Sequence, residues 1–454
     1  MWRQTKRWSS KLRALALALL AAAQPAAAEA DRIWRGRLGE AQALIVNYDR
    51  PLRAAFVNAS ANVLRDDDPN WRALAKKYDA TILDLPLDWN AQDESARKIL
   101  DALAAGARRF PERPEFAHLP VVLFGFSASA AAVARTASSP LLSNPDETKA
   151  PQRVLAVVGL DEIDRPPFTP PLWTPHLFLS DPGDFYGGLK TNVEDLSPPV
   201  THDAYAKARA KQGAPITVAA QLGHWHGGAH YTYRNRVDFS FMALWLDEVL
   251  RERLPAAPPR DGPVVLASWR DRGGWRAAYD VEGPQDAERG APRAPLGGDD
   301  ERMANIQAAP REKFDDRRDF VWLPGARTAQ AWRYYVGNGV LPPAPGAPLA
   351  VLDAFVRQGP DLTKGQLDLR LGEPARPPCG AGALFVLFDR PITAGEADVE
   401  GGFLARGAPK IWKNVMIVEL DAGARAGPTR FILRGVTPEG GGAPANFELP
   451  GFCR

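Results

Sequence analysis

The chain has 454 residues, of which 45% are hydrophobic and 24% charged, with a formal net charge of +2. That composition is globular, is long enough for two or three domains, and excludes a chain disordered by its composition. A charge this close to neutral gives no argument for nucleic acid or an anionic membrane surface as a partner.

The N-terminus reads as a processing signal. Arg3, Lys6, Arg7, Lys11 and Arg13 precede an apolar core from Ala14 to Ala23, and Ala26-Ala27-Ala28 supplies an A-x-A cleavage site. Residues 1–28 are therefore expected to be a signal peptide whose core is too short to stay as an anchor. The expected location is periplasmic or secreted, with no membrane span after leader removal. The two cysteines, Cys379 and Cys453, lie far along the chain. In an oxidising compartment they are expected to form one disulfide that pins the C-terminal tail.

Residues 29–254 alternate between strand-like and helix-like segments. Ala43 to Tyr48 and Ala54 to Val57 read as strands. Asp68-Pro69 then opens a helix carrying Trp71, Leu74, Ala75 and Tyr78 at helical spacing. Thr81 to Leu85 is a strand, and Ala91 to Ala105 an amphipathic helix with Ile99, Leu100 and Leu103 inward. Val121 to Phe124 is an unbroken apolar run, as in a strand buried on both faces. Val154–Leu160, His176–Ser180 and Ile216–Ala220 are further buried strands, with a helix expected over 204–211. Phe239 to Leu250 closes the region as a helix. Regular alternation of this kind implies a mostly parallel sheet with helices on both faces, and ligands at the carboxyl ends of its strands.

The chemistry concentrates after Phe124, at Gly125-Phe126-Ser127-Ala128-Ser129, followed by the small residues Ala130 to Ala134. Strand, tight turn, serine and helix form the setting of a nucleophile elbow, in which the residues two before and two after the serine must be small. Ser127 is the candidate nucleophile, and the Ala128 N–H at the helix start is a candidate oxyanion donor. A serine hydroxyl needs a base and a group to orient that base. Three of the six histidines, His224, His226 and His230, cluster after the last strand. His224, on the loop behind Gly223, is favoured as base, with the other two as alternatives. The loop after His176–Ser180 offers Asp184 as the acid, with Asp181 second, and Asp161, Glu162 and Asp164 form a reserve. Asn58-Ala59-Ser60 ends an earlier strand, and Ala59 is the candidate second oxyanion donor. A zinc reading of the histidine cluster lacks carboxylate or cysteine ligands alongside. No metal or cofactor is expected.

These residues resemble the α/β-hydrolase superfamily over about residues 40–253, through the GFSAS elbow, the DPGD loop and the GHWHG loop in that order. Within it the chain is similar to secreted bacterial esterases of the polyhydroxyalkanoate-depolymerase and feruloyl-esterase type. The resemblance implies Ser127 as nucleophile, Asp184 as acid and His224 as base, acting on a small-molecule or polymeric ester. Two departures stand out: Ser129 replaces the usual glycine, and the His-Gly-Gly oxyanion motif of some lipases is absent. The same triad would serve a peptidase or amidase, and the fold also hosts non-catalytic binding proteins.

Residues 255–345 begin with a proline-rich stretch and continue as a segment rich in Arg, Asp and Trp. It is read as a linker and extension in which Val321–Pro324 is a loop and Thr328–Tyr335 a short helix. Residues 346–454 read as β. Gln366–Leu371, Ala383–Phe388, Asn414–Leu420 and Arg430–Leu433 are strand candidates, and their spacing predicts a β-sandwich.

Overall fold

The computed structural model describes residues 33–59, 69–88, 90–126, 128–144, 146, 149, 151–160, 173–180, 213–220, 237–257, 259, 262–267, 274–278, 307–310, 321–338, 341–344, 346–358, 366–370, 382–412, 414–422 and 427–453. The expected leader, the expected helix over 204–211, Cys379 and the side chain of Cys453 lie outside the described residues.

The chain opens with a hairpin of Trp34–Leu38 (β1) and Ala41–Ile45 (β2), turned at Gly39, whose φ of 60° is in the left-handed region. The sequence reading has no strand at β1 and carries β2 on to Tyr48. Arg35 and Arg37 on the exposed side of β1 mask its apolar face, which is only half-buried. The second strand stops at Ile45 because Asn47 enters a turn. Its carbonyl accepts from Arg50 N at 3.1 Å. Its amide donates to the Lys76 carbonyl at 2.8 Å and to Asp79 Oδ1 at 2.7 Å.

Ala54–Asn58 (β3), Ala80–Asp84 (β4), Val121–Phe126 (β5), Val154–Leu160 (β6), His176–Ser180 (β7) and Ile216–Ala220 (β8) complete one eight-stranded sheet, in the order β1-β2-β4-β3-β5-β6-β7-β8. From β4 across to β8 every pairing is parallel, while β2 meets β4 antiparallel. With helices on both faces this is the mostly parallel α/β sheet that the sequence leads one to expect.

Period-two alternation divides the core. Val122 and Phe124 of β5 face one cluster with Phe56, Ile82, Leu177 and Ile216, covered by Pro69–Lys77 (α1) and Val237–Arg253 (α4). Val121 and Leu123 face the other with Ala55, Val57 and Leu83, covered by Gln92–Arg109 (α2) and Ala128–Ala137 (α3). Each large apolar side chain so buried contributes about 1.5–3 kcal/mol. None of these helices, nor any other among the described residues, is long and apolar enough to cross a membrane.

The chain beyond α4 returns to the first of these clusters. Trp275–Ala278 (β9), Gln307–Pro310 (β10) and Val321–Leu323 (β11) make a small antiparallel sheet in the order β10-β9-β11, followed by Ala326–Asn338 (α5). Val321 to Leu323 is thus a strand rather than the loop read from sequence, because its three side chains are buried in the core. Trp332 and Tyr335 of α5 are fully buried there. An end strand leaves backbone groups unpaired, and β8 is the last in its sheet. Trp332 Nε1 donates to the Val218 carbonyl on β8 at 2.8 Å. Trp245 Nε1 donates to Thr217 Oγ1 at 2.9 Å, and that hydroxyl donates to the Trp322 carbonyl at 2.6 Å. The Glu248 carboxylate of α4 caps α5, accepting from Thr328 N at 3.1 Å and Thr328 Oγ1 at 2.6 Å.

A second polar cluster ties α1 to α4 and α5. Asp247 accepts from Tyr78 Oη at 2.6 Å and from Lys77, and Arg327 lies 3.6 Å away. Burial raises the Asp247 carboxyl, but the hydrogen bonds from Lys77 and Tyr78 and the charges of Lys77 and Arg327 outweigh it. The group therefore sits below its ordinary value.

Residues from Val351 onward form two antiparallel sheets. Val351–Gln358 (β12), Gln366–Arg370 (β13), Gly382–Phe388 (β14), Phe403–Ala405 (β16), Lys410–Trp412 (β17) and Val415–Ala422 (β18) make one. Ile392–Glu400 (β15), Gly427–Pro438 (β19) and Ala445–Cys453 (β20) make the other. Leu384, Val386, Met416 and Val418 from the first pack with Phe431, Leu433 and Val436 from the second. The sequence reading misses β15, whose outer face carries Glu396, Asp398 and Glu400 in place of apolar residues. It also shortens β19 to a third of its twelve residues. Burial pushes the Tyr334 hydroxyl of α5 up to about 12, and Arg390, Asp389 and Glu439 are among the charges acting on it.

Three outcomes are expected. Trp332→Ala should lose about 3–5 kcal/mol of stability in urea unfolding, and a chain ended after Leu254 should fail to give a cooperative transition. For Asp247, a depressed folded pKa contributes stability that is present above the unfolded value near about 4 and lost as pH falls through the folded one. Asp247→Asn should therefore lower the melting temperature at neutral pH and flatten its fall on acidification.

Candidate active site

The site is built from the carboxyl end of β5, the fifth strand in the order of the sheet. All six residues from Val121 to Phe126 are buried. Strand β5 ends at Phe126 and α3 begins at Ala128, so a single residue, position 127, separates them. Ser127 itself lies outside the described residues.

Such a sharp reversal forces two backbones together. A Cβ placed on Gly125 would stand 2.1 Å from the Ser129 carbonyl oxygen and 2.6 Å from Ala130 N. Gly125 does not have a positive φ, so the constraint is space rather than backbone angle. Its register neighbour on β6 is another glycine, Gly159. The first turns of α3 bury Ala130, Ala131, Ala132 and Ala134, none more than 2% exposed, so few bulky side chains stand where helix and strand meet. The small-residue requirement read on either side of position 127 thus has a direct physical cause.

Ala128 is exposed in the first position of α3. The first N–H groups of a helix have no partner within it and carry partial positive charge, as an oxyanion donor requires. Ala59 fares differently. Its N–H donates to the Phe124 carbonyl at 2.9 Å, so it extends the ladder between β3 and β5 instead of facing a ligand. Beside it Asn58, fully buried, donates from Nδ2 to Asp84 Oδ1 at 2.7 Å. This polar pair closing two adjacent strands was passed over in the sequence. The signal for it is an asparagine and an aspartate each ending a run of apolar residues.

The other candidates follow strands whose ends are in register. Phe126 on β5 pairs with Leu160 on β6, Leu160 with Leu179 on β7, and Ser180 with Ala220 on β8. The chain therefore leaves β5, β6, β7 and β8 from one edge of the sheet. Asp161, Glu162 and Asp164 follow β6, Asp181 and Asp184 follow β7, and His224, His226 and His230 follow β8. All of these lie outside the described residues. Among the described residues no group of three histidine, cysteine or carboxylate side chains could hold a metal ion.

No protein-family model matches the sequence, and no curated protein matches it. Similar solved structures include an acylaminoacyl peptidase from Pyrococcus horikoshii, at 11% identity and a TM-score of 0.32 over 51% of this chain and 43% of that one. The chain thus spans less than half of that peptidase. A dienelactone hydrolase from Anabaena variabilis is similar at 16% identity and a TM-score of 0.29, over 50% of this chain and 98% of the other. Esterase 2 of Thermogutta terrifontis is similar at 13% identity and a TM-score of 0.31, over 49% and 95%.

The crowding at Gly125 gives a sharp expectation. Gly125→Ala should cost about 1–3 kcal/mol by overpacking, read as a lower urea midpoint, and Gly125→Val should cost more. A Gly125→Ala chain as stable as the wild type would mean that α3 does not cross the strand this closely.

Proposed function

We propose that this protein is a serine hydrolase that cleaves carboxylic esters through an acyl-enzyme. Ser127 is the nucleophile, His224 the base and Asp184 the residue that orients it. The observation that carries the reading is the approach of the Ser129 carbonyl to within 2.1 Å of the Cβ position at Gly125. Only a nearly immediate turn from strand to helix brings these two backbones so close, and such a turn presents the side chain at its apex outward.

Reach supports the partners. Adjacent strands are about 4.8 Å apart, so β8 stands about 14 Å from β5 across three spacings. Residues 221 to 224 can extend about 13 Å, and an imidazole covers the remainder. Asp184, leaving from β7 between them, approaches from the same edge.

In the proposed reaction His224 accepts the Ser127 hydroxyl proton as Oγ attacks the ester carbonyl carbon. The Ala128 N–H holds the oxyanion that forms, and the next amide after Ala59, that of Ser60, is the proposed second donor. Collapse breaks the bond to the alkoxide, which leaves with the proton from His224. Water then attacks the acyl-enzyme with His224 again as base, releasing the acid and restoring Ser127. The substrate is a small-molecule or polymeric ester, and no metal or organic cofactor takes part. With this goes export by the leader over residues 1–28, to the periplasm or beyond, and a disulfide between Cys379 and Cys453.

The wild-type protein should label with a fluorophosphonate probe and turn over short-chain p-nitrophenyl esters. Ser127→Ala should abolish labelling and lower turnover by about four orders of magnitude or more. Equal labelling of the two would remove Ser127 from the mechanism. A matched set of p-nitroanilides measured alongside should be cleaved far more slowly; the reverse order would make the protein an amidase.

A further inference from the structure

Asn58 is the last residue of β3 and is 0% exposed, after four apolar residues. A primary amide buried this completely costs free energy unless its polar atoms find partners. Its Nδ2 donates to Asp84 Oδ1 at 2.7 Å, and Asp84 is both the last residue of β4 and its register partner. The backbone is fixed at the same point. Leu85 N–H donates to the Asn58 carbonyl and Ala59 N–H to the Phe124 carbonyl, both at 2.9 Å. Three strand ends are therefore joined where the chain leaves β3, level with Phe124 and so beside the elbow that follows it.

A pair of packed methyl groups would hold β3 against β4 without the desolvation that this amide and carboxylate incur. What the polar pair adds is direction. A charge-assisted hydrogen bond fixes both distance and angle, whereas apolar packing tolerates sliding. The direction it fixes is that of the backbone leaving at Ala59.

We propose that Asn58 and Asp84 are positioning residues of the site: their hydrogen bond aims the backbone leaving β3 so that the oxyanion side stands correctly against the elbow. This rests on the hydrolase reading above. Neither residue touches substrate. A small displacement of oxyanion donors lowers the rate of the chemical step and leaves ester binding nearly unchanged, because the donors act on charge that appears only in the transition state.

The test uses the full chain, with kcat and KM for p-nitrophenyl butyrate, the rate of fluorophosphonate labelling, and the melting temperature of each variant. Asn58→Ala and Asp84→Ala should each lose about ten- to a hundredfold in kcat and in labelling rate, with KM held within about twofold. The double variant should lose no more than either single one. Asp84→Asn keeps an oxygen that accepts from Asn58 and should recover to within about threefold of the wild type. Alanine variants with wild-type kcat, whatever their melting temperature, would overturn the proposal. So would losses that multiply in the double variant. Should Asn58→Ala not fold, Asp84→Ala decides, since Asp84 is only half-buried and its loss opens no interior cavity. A wild-type chain that neither labels nor hydrolyses would instead overturn the hydrolase reading itself.

Discussion

One of the tightest constraints among the described residues is the one between a strand and the helix that leaves it. Helix α3 begins so soon after β5 that the Ser129 carbonyl occupies space a side chain at position 125 would need. Much else is arranged around that approach. The first turns of the helix bury small residues, Ala130, Ala131, Ala132 and Ala134, with one valine, Val133, among them. Strand β5 must be rigid enough to hold its end of the turn. It is buried on both faces and hydrogen-bonded on both sides, to β3 and β6.

The second half of the chain takes part in this rigidity at a distance. Left alone, β8 would present an unpaired edge and α4 an uncovered row of Phe241, Trp245 and Val249. Helix α5 and β11 cover both, with two indole donors and one threonine hydroxyl completing the polar contacts. Glu248 supplies the cap of α5 from α4, and Gly325 leaves it room: a Cβ there would stand 2.8 Å from the carboxylate. The extension thus belongs to the core of the α/β sheet, and α5 also carries Tyr334 toward the charges of the C-terminal sheets.

The parts legible in the sequence were those where one physical demand dominates. Parallel strands β5 and β6 read clearly because burial on both faces leaves only apolar residues. The glycine at 125 is legible because the close approach of strand and helix leaves room for no side chain there. What escaped notice was governed by two demands at once. Strands β1 and β15 bury one face lightly and carry charge on the other, so their alternation is blurred by arginines and by Glu396, Asp398 and Glu400. Val321–Leu323 looked like loop because so short a strand has no period of its own, and its partner β9 is remote in sequence. The ladder bond of Ala59 was invisible because it depends on how far β3 and β5 stay paired, which residue type does not encode. The Asn58–Asp84 pair was hidden for the same reason: two polar residues that each look like a strand-end turn become partners only through parallel register.

These observations divide the candidate centre into a fixed side and a supplied side. On the fixed side, β3, β4, β5 and α3 are tied to one another by backbone ladders, by the Asn58 amide and by contact with no space to spare. On the supplied side, the proposed acid and base fall in the connections that follow β7 and β8, strands whose ends are set by register. Closing a longer loop costs only about 0.6 kcal/mol for each doubling. Changes in those connections therefore burden the fold little while altering whatever lies across from the serine. On the proposed reading, the nucleophile and its oxyanion donors are held at the end of the sheet that β3, β4 and β5 make rigid. On the same proposed reading, selection among esters would fall to the segments that follow Ser180 and Ala220.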